Sequence, residues 1–383
     1  MTGTQAALYA EIDLELSWSE EALPQSERTK HVHGLHPYLG KFPPQLAEAL
    51  IERHCPAGGL VLDPFCGSGT TLVAAIGLGR DAAGCDVSAF NALLAREKTR
   101  PHDPAAIARG LDETLAGAEA ALAHGAPDGP VPAYLAEWYG AEAQRELLAY
   151  RAAIEPGSGE GGLAALVLTR AARSARLVRH DALDAAREPV REPYWCHKHR
   201  RMCVPTAGAM RFLRRYSSDI ATRVAAFAAL RPADSDAEVH HLDARDLRLE
   251  RPADALVTSP PYVGVIDYHD QHAYAYALLG LEARTREEIG SRTRGASARA
   301  VRAYAADMVA ALAAAASCLR AGAPLAIVVN DRLGLYGDIL ERAGLRLESR
   351  SLRHVNRRTS RRAGEYYEEI LVARQAEWGA AHA

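Results

Sequence analysis

The chain reads as an α/β protein, a doubly wound, Rossmann-like sheet carrying a large, mainly helical insertion. Three observations lead there. Short aliphatic runs end in a polar tip at Asp63, Asp86, Asp243, Thr258 and Asn330, and helical patterns fall between them, the alternation that builds a covered parallel sheet. The first run passes through Gly67 and Gly69 straight into an apolar helical stretch, a turn that brings backbone amides close to a ligand. Between the second and third runs, residues 101–235 interrupt the alternation with sequence that is mostly helical in pattern, over a length typical of a separate domain.

With 383 residues the chain can bury a substantial core, and 48% hydrophobic with 24% charged residues is an ordinary globular composition. A net charge of −3 excludes a global cationic field that would draw the protein onto nucleic acid, so such contacts must come from local patches. The N-terminus carries Glu11, Asp13, Glu15, Glu20 and Glu21 without an apolar run, which does not match a signal peptide. The most apolar long stretch, residues 303–319, is mostly alanine and contains Asp307, the pattern of a packed helix rather than a membrane span. Cys55, Cys66, Cys85, Cys196, Cys203 and Cys318 are scattered, so reduced thiols, a cytoplasmic location and no membrane partner are expected.

In chain order, residues 1–30 are acidic and weakly patterned, and are expected to form a loose N-terminal arm. The segment His33-Gly-Leu-His-Pro-Tyr-Leu-Gly-Lys-Phe-Pro-Pro44 follows, leading into a helix whose first turn suits its two prolines. Val61-Leu-Asp-Pro-Phe-Cys-Gly-Ser-Gly-Thr-Thr71 is the strand, turn and helix start, and Gly84-Cys85-Asp86 closes the second strand, with Asp86 17 residues beyond Gly69. That is near the spacing at which an acidic side chain grips ribose hydroxyls. After Arg100-Pro101 come helices around a loop, a Gly-rich break at residues 155–162, and a helix over 163–179 with Arg170, Arg173, Arg176 and Arg179 wound over about half its circumference. The strand pattern resumes at residues 238–242, ahead of Asp243. Residues 345–351 and 367–373 are candidates for a closing hairpin.

The Gly67–Gly69 turn together with Ser259-Pro-Pro-Tyr262, at the tip of the strand over 255–258, resembles motifs I and IV of the amino-group DNA methyltransferases. These enzymes transfer a methyl group from S-adenosyl-L-methionine to the exocyclic nitrogen of cytosine or adenine. Residues 33–44 resemble the family's motif X. The likeness covers about 35–91 and 239–330 and leaves out the insertion, which precedes the Asp243 strand where the usual arrangements have it follow. The resemblance implies a class I methyltransferase sheet, with 31–100 and 236–375 as the catalytic domain and 101–235 as an insertion that is a possible DNA-recognition region.

The resemblance also implies a cofactor seat of His36, Tyr38, Lys41, Phe42 and Pro43 from motif X, and Asp63, Pro64, Phe65, Gly67, Gly69 and Thr70 from motif I. Asp86 would take the ribose and Asp243 the adenine amino group; Asp243 also reads as a helix cap. Ser259, Pro260, Pro261 and Tyr262 would carry the transfer. The Ser259 hydroxyl and Pro260 carbonyl would accept hydrogen bonds from the target amine, while Tyr262 stacks on a base flipped out of double-stranded DNA. Serine before Pro-Pro-Tyr is similar to the cytosine-N4 group, which makes cytosine the favoured base.

From beyond Arg170 to Arg215 there are ten arginines and one lysine against four acidic residues, and from Arg346 to Arg362 seven arginines against one. Lys198, Arg200, Arg201, Arg357, Arg358, Arg361 and Arg362 are the candidate phosphate contacts, and residues 284–302 a candidate mobile loop around the site. Cys196, His197, His199 and Cys203 raise a zinc possibility, but their spacing does not match paired ligand knuckles, so the stretch is read as a basic recognition loop with no metal. An adenine-N6 enzyme, an RNA base methyltransferase and a catalytically idle nucleic-acid-binding relative stay open beside the cytosine reading. So do the recognition sequence, the oligomeric state and a restriction endonuclease partner.

Overall fold

The computed structural model describes residues 12–40, 42–125, 130–155, 157–181, 186–355 and 366–376. Its frame is one sheet of β1 (Leu60–Asp63), β2 (Asp81–Asp86), β5 (Ala237–His241), β6 (Ala255–Thr258), β7 (Leu325–Val329), β8 (Leu345–His354) and β9 (Tyr367–Gln375), while β3 (Tyr194–Cys196) and β4 (Arg201–Cys203) pair separately. The sheet order is β5-β2-β1-β6-β7-β9-β8. The first five run parallel, β9 lies antiparallel to β7, and β8 closes the hairpin. The expected doubly wound sheet and its closing hairpin are therefore both present. The strand order reverses at β1, between β2 and β6, and the crevice at such a reversal is where open α/β sheets bind ligands.

Continuous aliphatic runs form these strands because both faces are covered; every residue of β1, β6 and β7 is buried. On one face Val61, Val257 and Val328 meet Leu46, Leu50 and Ile51 of α1 (Pro44–His54) and Leu72 of α2 (Thr70–Gly77). Each fully buried leucine or isoleucine here stabilises the fold by about 1.5–3 kcal/mol. The opposite face packs Leu62, Leu256 and Ile327 against α10 (Ala298–Ser317) and α11 (Tyr336–Arg342). By length and composition α10 passes as a membrane span, yet Tyr304, Met308, Leu312 and Ala315 bury one side of it in this core.

The insertion contains helices α4 (Pro104–Ala123), α5 (Ala133–Trp138), α6 (Ala141–Ala153), α7 (Gly161–Ala175) and α8 (Met210–Ala228), together with the β3-β4 ribbon. It shares one hydrophobic core with the sheet's own flank. Leu111, Leu147, Leu166 and Ile220 pack with Phe90 and Leu94 of α3 (Ala89–Thr99), Val73 of α2, and Tyr274 and Leu278 of α9 (Ala273–Leu279). The length that suggests a separate domain therefore belongs to a layer laid on the sheet's covering helices.

The expected loose arm is docked over its described residues, 12–30. Asp13 N–H donates to the Leu352 carbonyl (2.7 Å), Leu16 is buried beside Ile370, and the acidic Asp13 and Glu15 pair with Arg53 (both 2.8 Å). Its described part looks unpatterned because its buried apolar side chains, Leu16 and Leu23, are scattered among charges, of which Asp13 and Glu15 pair with α1.

Candidate active site

The polar tips converge at the crevice beside β1. After Asp63 the chain turns through Gly67 and Gly69, with φ of +48° and +76°, so that the Thr70 amide opens α2. A Cβ on Gly67 would lie 2.8 Å from the Tyr38 hydroxyl, so motif X closes down on the glycine turn. From below, the buried Lys98 donates to the Ser68 carbonyl (2.7 Å) and holds the turn in place. Tyr38 is stacked between Tyr268 and His272, with ring centres 5.9 and 5.7 Å away. Its hydroxyl accepts a hydrogen bond from the Asn91 amide (3.1 Å), and the same amide donates to Asp86 (3.2 Å).

Asp86 also accepts from the Gly67 amide (3.0 Å) and the Ser88 amide (2.8 Å). Burial pushes its carboxyl up to about 6 against those three donors. Asp63 is raised to about 6 by burial as well, opposed by the Thr258 hydroxyl (2.6 Å) and the Phe65 amide (3.1 Å). These bonds make Asp63 a brace between β1 and β6, turned away from the crevice. Asp243 does both things its position allows. It caps a 3-10 turn at Ala244–Asp246, with its carboxylate held by Arg245, and it lines the cavity.

That cavity lies between Tyr38, Phe65, Gly67, Asp86, Asp243 and Ser259. On the other side of Ser259 a wider cleft is lined by Phe42, Tyr262, Tyr304, Asn330, Tyr336 and Tyr366. Ser259 is common to both walls. The loop that presents it is held by Tyr304, whose hydroxyl donates to the Pro261 carbonyl (2.9 Å) and meets the Tyr336 hydroxyl (2.9 Å). Burial pushes the Tyr262 phenol well above its ordinary value, with a hydrogen bond to Ser259 acting the other way.

The sequence-predicted seat is thus assembled only in part. Tyr38, Pro64, Phe65, Gly67, Asp86 and Asp243 share the smaller cavity, and Phe42 falls in the larger cleft. Pro43 stands at the N-cap of α1, and Gly69 and Thr70 build the turn without lining the cavity. His36 is a core residue, packed on Phe90, His272 and Tyr274, and burial holds it well below its usual range and so neutral. Lys41 lies outside the described residues. Sequence reasoning missed Tyr268 and Glu288, both on the cavity wall. Glu288 takes the Tyr268 amide (2.5 Å) and His269 (2.9 Å), and the expected mobile loop of residues 284–302 is anchored by these bonds and by Ser291 to Asp267. No motif marks Glu288; only its bonds to Tyr268 and His269 in the folded chain reveal it.

The basic stretches thin out in three dimensions. Arg179 pairs with Asp181, and Arg214 with Glu119. Arg346, Arg350 and Arg353 are matched by Glu348, Glu369 and Glu368. Lys198, Arg200 and Arg201 remain exposed on the β3-β4 turn, whereas Arg357, Arg358, Arg361 and Arg362 lie outside the described residues.

A sheet of this order, with a glycine turn after β1, a carboxylate at the end of β2 and a Ser-Pro-Pro-Tyr tip on β6, defines a class I S-adenosylmethionine-dependent methyltransferase. The N6/N4 DNA methylase family profile matches residues 9–97. The chain is 30% identical to the type II methyltransferase M.MjaII of Methanocaldococcus jannaschii over 96% of its own length and 85% of that protein. It is 32% identical to the type II methyltransferase M.MvaI of Kocuria varians over 21% of its length and 18% of that protein. Among solved structures, an rRNA methyltransferase of Streptomyces viridochromogenes aligns over 92% of this chain and 93% of its own, at 16% identity and a TM-score of 0.36. The chain belongs to the N6/N4 amino-group DNA methyltransferase family, and its cofactor is S-adenosylmethionine. The seat suits that molecule: the missing Cβ of Gly67 lets Tyr38 close over the turn at the cavity wall, and the Asp86 carboxylate there can accept from ribose hydroxyls.

Proposed function

We propose that this enzyme methylates the N4 nitrogen of cytosine in double-stranded DNA, with the target base flipped into the Tyr262 cleft. The observation that carries the reading is Ser259, one side chain common to the cavity walled by Gly67 and Asp86 and to an aromatic cleft. When bound, S-adenosylmethionine supplies an electrophilic methyl group on a sulfonium. The protein's part is to orient the amine and exclude water.

An exocyclic amine is a poor nucleophile because its lone pair is delocalised into the ring. Hydrogen bonds from its two hydrogens to the Ser259 hydroxyl and the Pro260 carbonyl favour a pyramidal nitrogen and return that lone pair to it. Pro260 and Pro261 have no amide hydrogens and a fixed φ, so the backbone presents its carbonyls without forming a helix. Tyr304 fixes the neighbouring Pro261 carbonyl, which sets the orientation of the tip. Tyr262, Phe42 and Tyr366 offer the faces on which a flipped base stacks.

Within the seat, Asp86 takes the ribose hydroxyls, Tyr38 and Phe65 cover the cofactor, and Asp243 faces its adenine edge. Serine ahead of Pro-Pro-Tyr supports cytosine over adenine. The exposed Lys198, Arg200 and Arg201 place phosphate contacts on the insertion, with the arginine run of 357–362 as the second set. The type II relatives support a partner endonuclease of the same recognition sequence. Methyl transfer from labelled cofactor to duplex DNA or RNA, followed by nucleoside mass spectrometry, tests the reading. N4-methylcytosine in DNA is the expected product. N6-methyladenine overturns the choice of base, and label in RNA alone overturns the substrate.

A further inference from the structure

Far from Ser259 in sequence, the insertion gathers a second group of reactive side chains. β3 and β4 pair with Tyr194 opposite Cys203 and Cys196 opposite Arg201. Side chains alternate along a strand, so Tyr194, Cys196 and Cys203 share one face, while Trp195 and Met202 stand on the other, 50% and 58% exposed. Among the described residues, Val190 is the apolar side chain packed against the inner face. Two strands of three residues over so small an apolar cluster are marginal in water without another tie.

The tie is visible in the donor atoms. Arg200, at φ +52°, turns the chain between the strands, and His199 beside it swings its ring back over the thiols. His199 Nδ1 is 3.5 Å from Cys196 Sγ and 3.5 Å from Cys203 Sγ. A tetrahedral ion about 2.3 Å from sulfur and about 2.05 Å from nitrogen sets its sulfur and nitrogen ligands about 3.6 Å apart. His180 supplies the fourth donor, its ring edge-on to His199 with centres 5.0 Å apart. One ligand atom from each of these four residues lies within 4.8 Å of the others.

The outer contacts also suit a ligated histidine. His180 Nδ1 is 3.0 Å from the Tyr194 hydroxyl, which leaves Nε2 as the ligating nitrogen, and a ligand histidine ordinarily gives its other nitrogen to such a partner. The residues on either side of His180 reach the ribbon as well. Arg179 donates to the Trp195 carbonyl (2.7 Å) and the His197 amide donates to Asp181 (3.2 Å). His197, one of the two histidines that the sequence pattern offered, is exposed and contributes its backbone amide; His180 takes its place from 16 residues before Cys196.

We propose that His180, Cys196, His199 and Cys203 bind a structural zinc ion, which pins the β3-β4 ribbon to the chain around His180. Two thiolates and two imidazoles in a tetrahedron are a soft-to-borderline set that suits zinc, and four protein ligands leave no open position for chemistry. Both thiols give up their protons on binding. The ion orders the turn that carries Lys198, Arg200 and Arg201.

The test uses the full chain, expressed with zinc supplementation, dialysed and analysed for metal. About one zinc per chain is expected. His199→Ala and Cys196→Ser should fall to background, while His197→Ala, in the same turn, and Cys318→Ser, elsewhere in the fold, keep their zinc. Should the ligand variants fail to fold, wild-type protein exchanged into Co2+ decides. The intense visible bands of a tetrahedral ion, with a thiolate charge-transfer band, support the site, and weak octahedral bands overturn it. Wild-type protein without zinc, loss of zinc in His197→Ala, or a Cys196–Cys203 disulfide in freshly purified protein each overturns the proposal.

Discussion

Replacing Gly67 with alanine tests the cofactor seat with a single methyl group. At φ +48° an L side chain costs about 1–2 kcal/mol in the left-handed region. The new Cβ would also lie 2.8 Å from the Tyr38 hydroxyl, closer than any relaxed approach, so Tyr38 must move. Tyr38 then gives up its bond to Asn91 (3.1 Å), worth about 0.5–1.5 kcal/mol. The two terms together are about 1.5–3.5 kcal/mol, and at about 2 °C per kcal/mol the melting temperature should fall by about 3–7 °C. Because Gly67 and Tyr38 both line the smaller cavity, S-adenosylmethionine affinity measured by calorimetry should fall as well. Gly77→Ala is the matched control: its Cβ meets nothing within 4 Å and its helical backbone accepts alanine, so stability and affinity should hold or rise slightly. Adding Tyr38→Phe to Gly67→Ala removes the atom nearest the new methyl and should restore part of the loss. Unchanged affinity and melting in Gly67→Ala would refute both the strain argument and the placement of the seat.

Ser259→Ala should keep cofactor affinity and slow single-turnover methyl transfer about a hundredfold or more, the scale set by removing one oriented group at a reacting centre; full activity would rule out its role. Tyr262→Ala should cost about 1–3 kcal/mol in target binding because the base no longer stacks, read by titration of duplex DNA, and an unchanged titration would place the base elsewhere. Asp86 accepts most strongly from ribose hydroxyls when ionised, and burial pushes its carboxyl up to about 6 in the folded protein. Cofactor affinity should therefore weaken as pH falls through about 6. The same raised value means that Asp86 disfavours the empty fold as pH rises from its ordinary range through about 6, a cost that cofactor binding offsets; in Asp86→Asn both pH dependences should flatten. Changing Arg357, Arg358, Arg361 and Arg362 together to alanine should flatten the salt dependence of DNA binding, the log-log slope falling by about 0.9 for each phosphate that is no longer neutralised, with cofactor affinity unchanged.

Local chemistry is legible in the chain alone wherever it depends on neighbours in sequence. The Gly67–Gly69 turn announces itself because only glycine relaxes into positive φ there, and the buried parallel strands because they must be aliphatic on both faces. Ser259-Pro-Pro-Tyr262 is readable for the same reason: the prolines impose the backbone that presents the tip. What the sequence could not decide is which charges and rings are consumed in the interior. Arg350 and Arg353 read as a nucleic-acid surface until Glu369 and Glu368 arrive from another strand, and His36 reads as a cofactor contact until Phe90 and Tyr274 enclose it. Residues 1–30 read as a loose arm until Leu352 offers Asp13 a carbonyl from more than three hundred residues away. Glu288 on the cavity wall and His180 beside the thiols follow the same logic, since each gains its meaning from a partner that only the folded chain brings near. Backbone preference and periodicity act over a few residues and are written in the sequence. Desolvation and charge pairing act through space, and for those the tertiary structure alone supplies the partner.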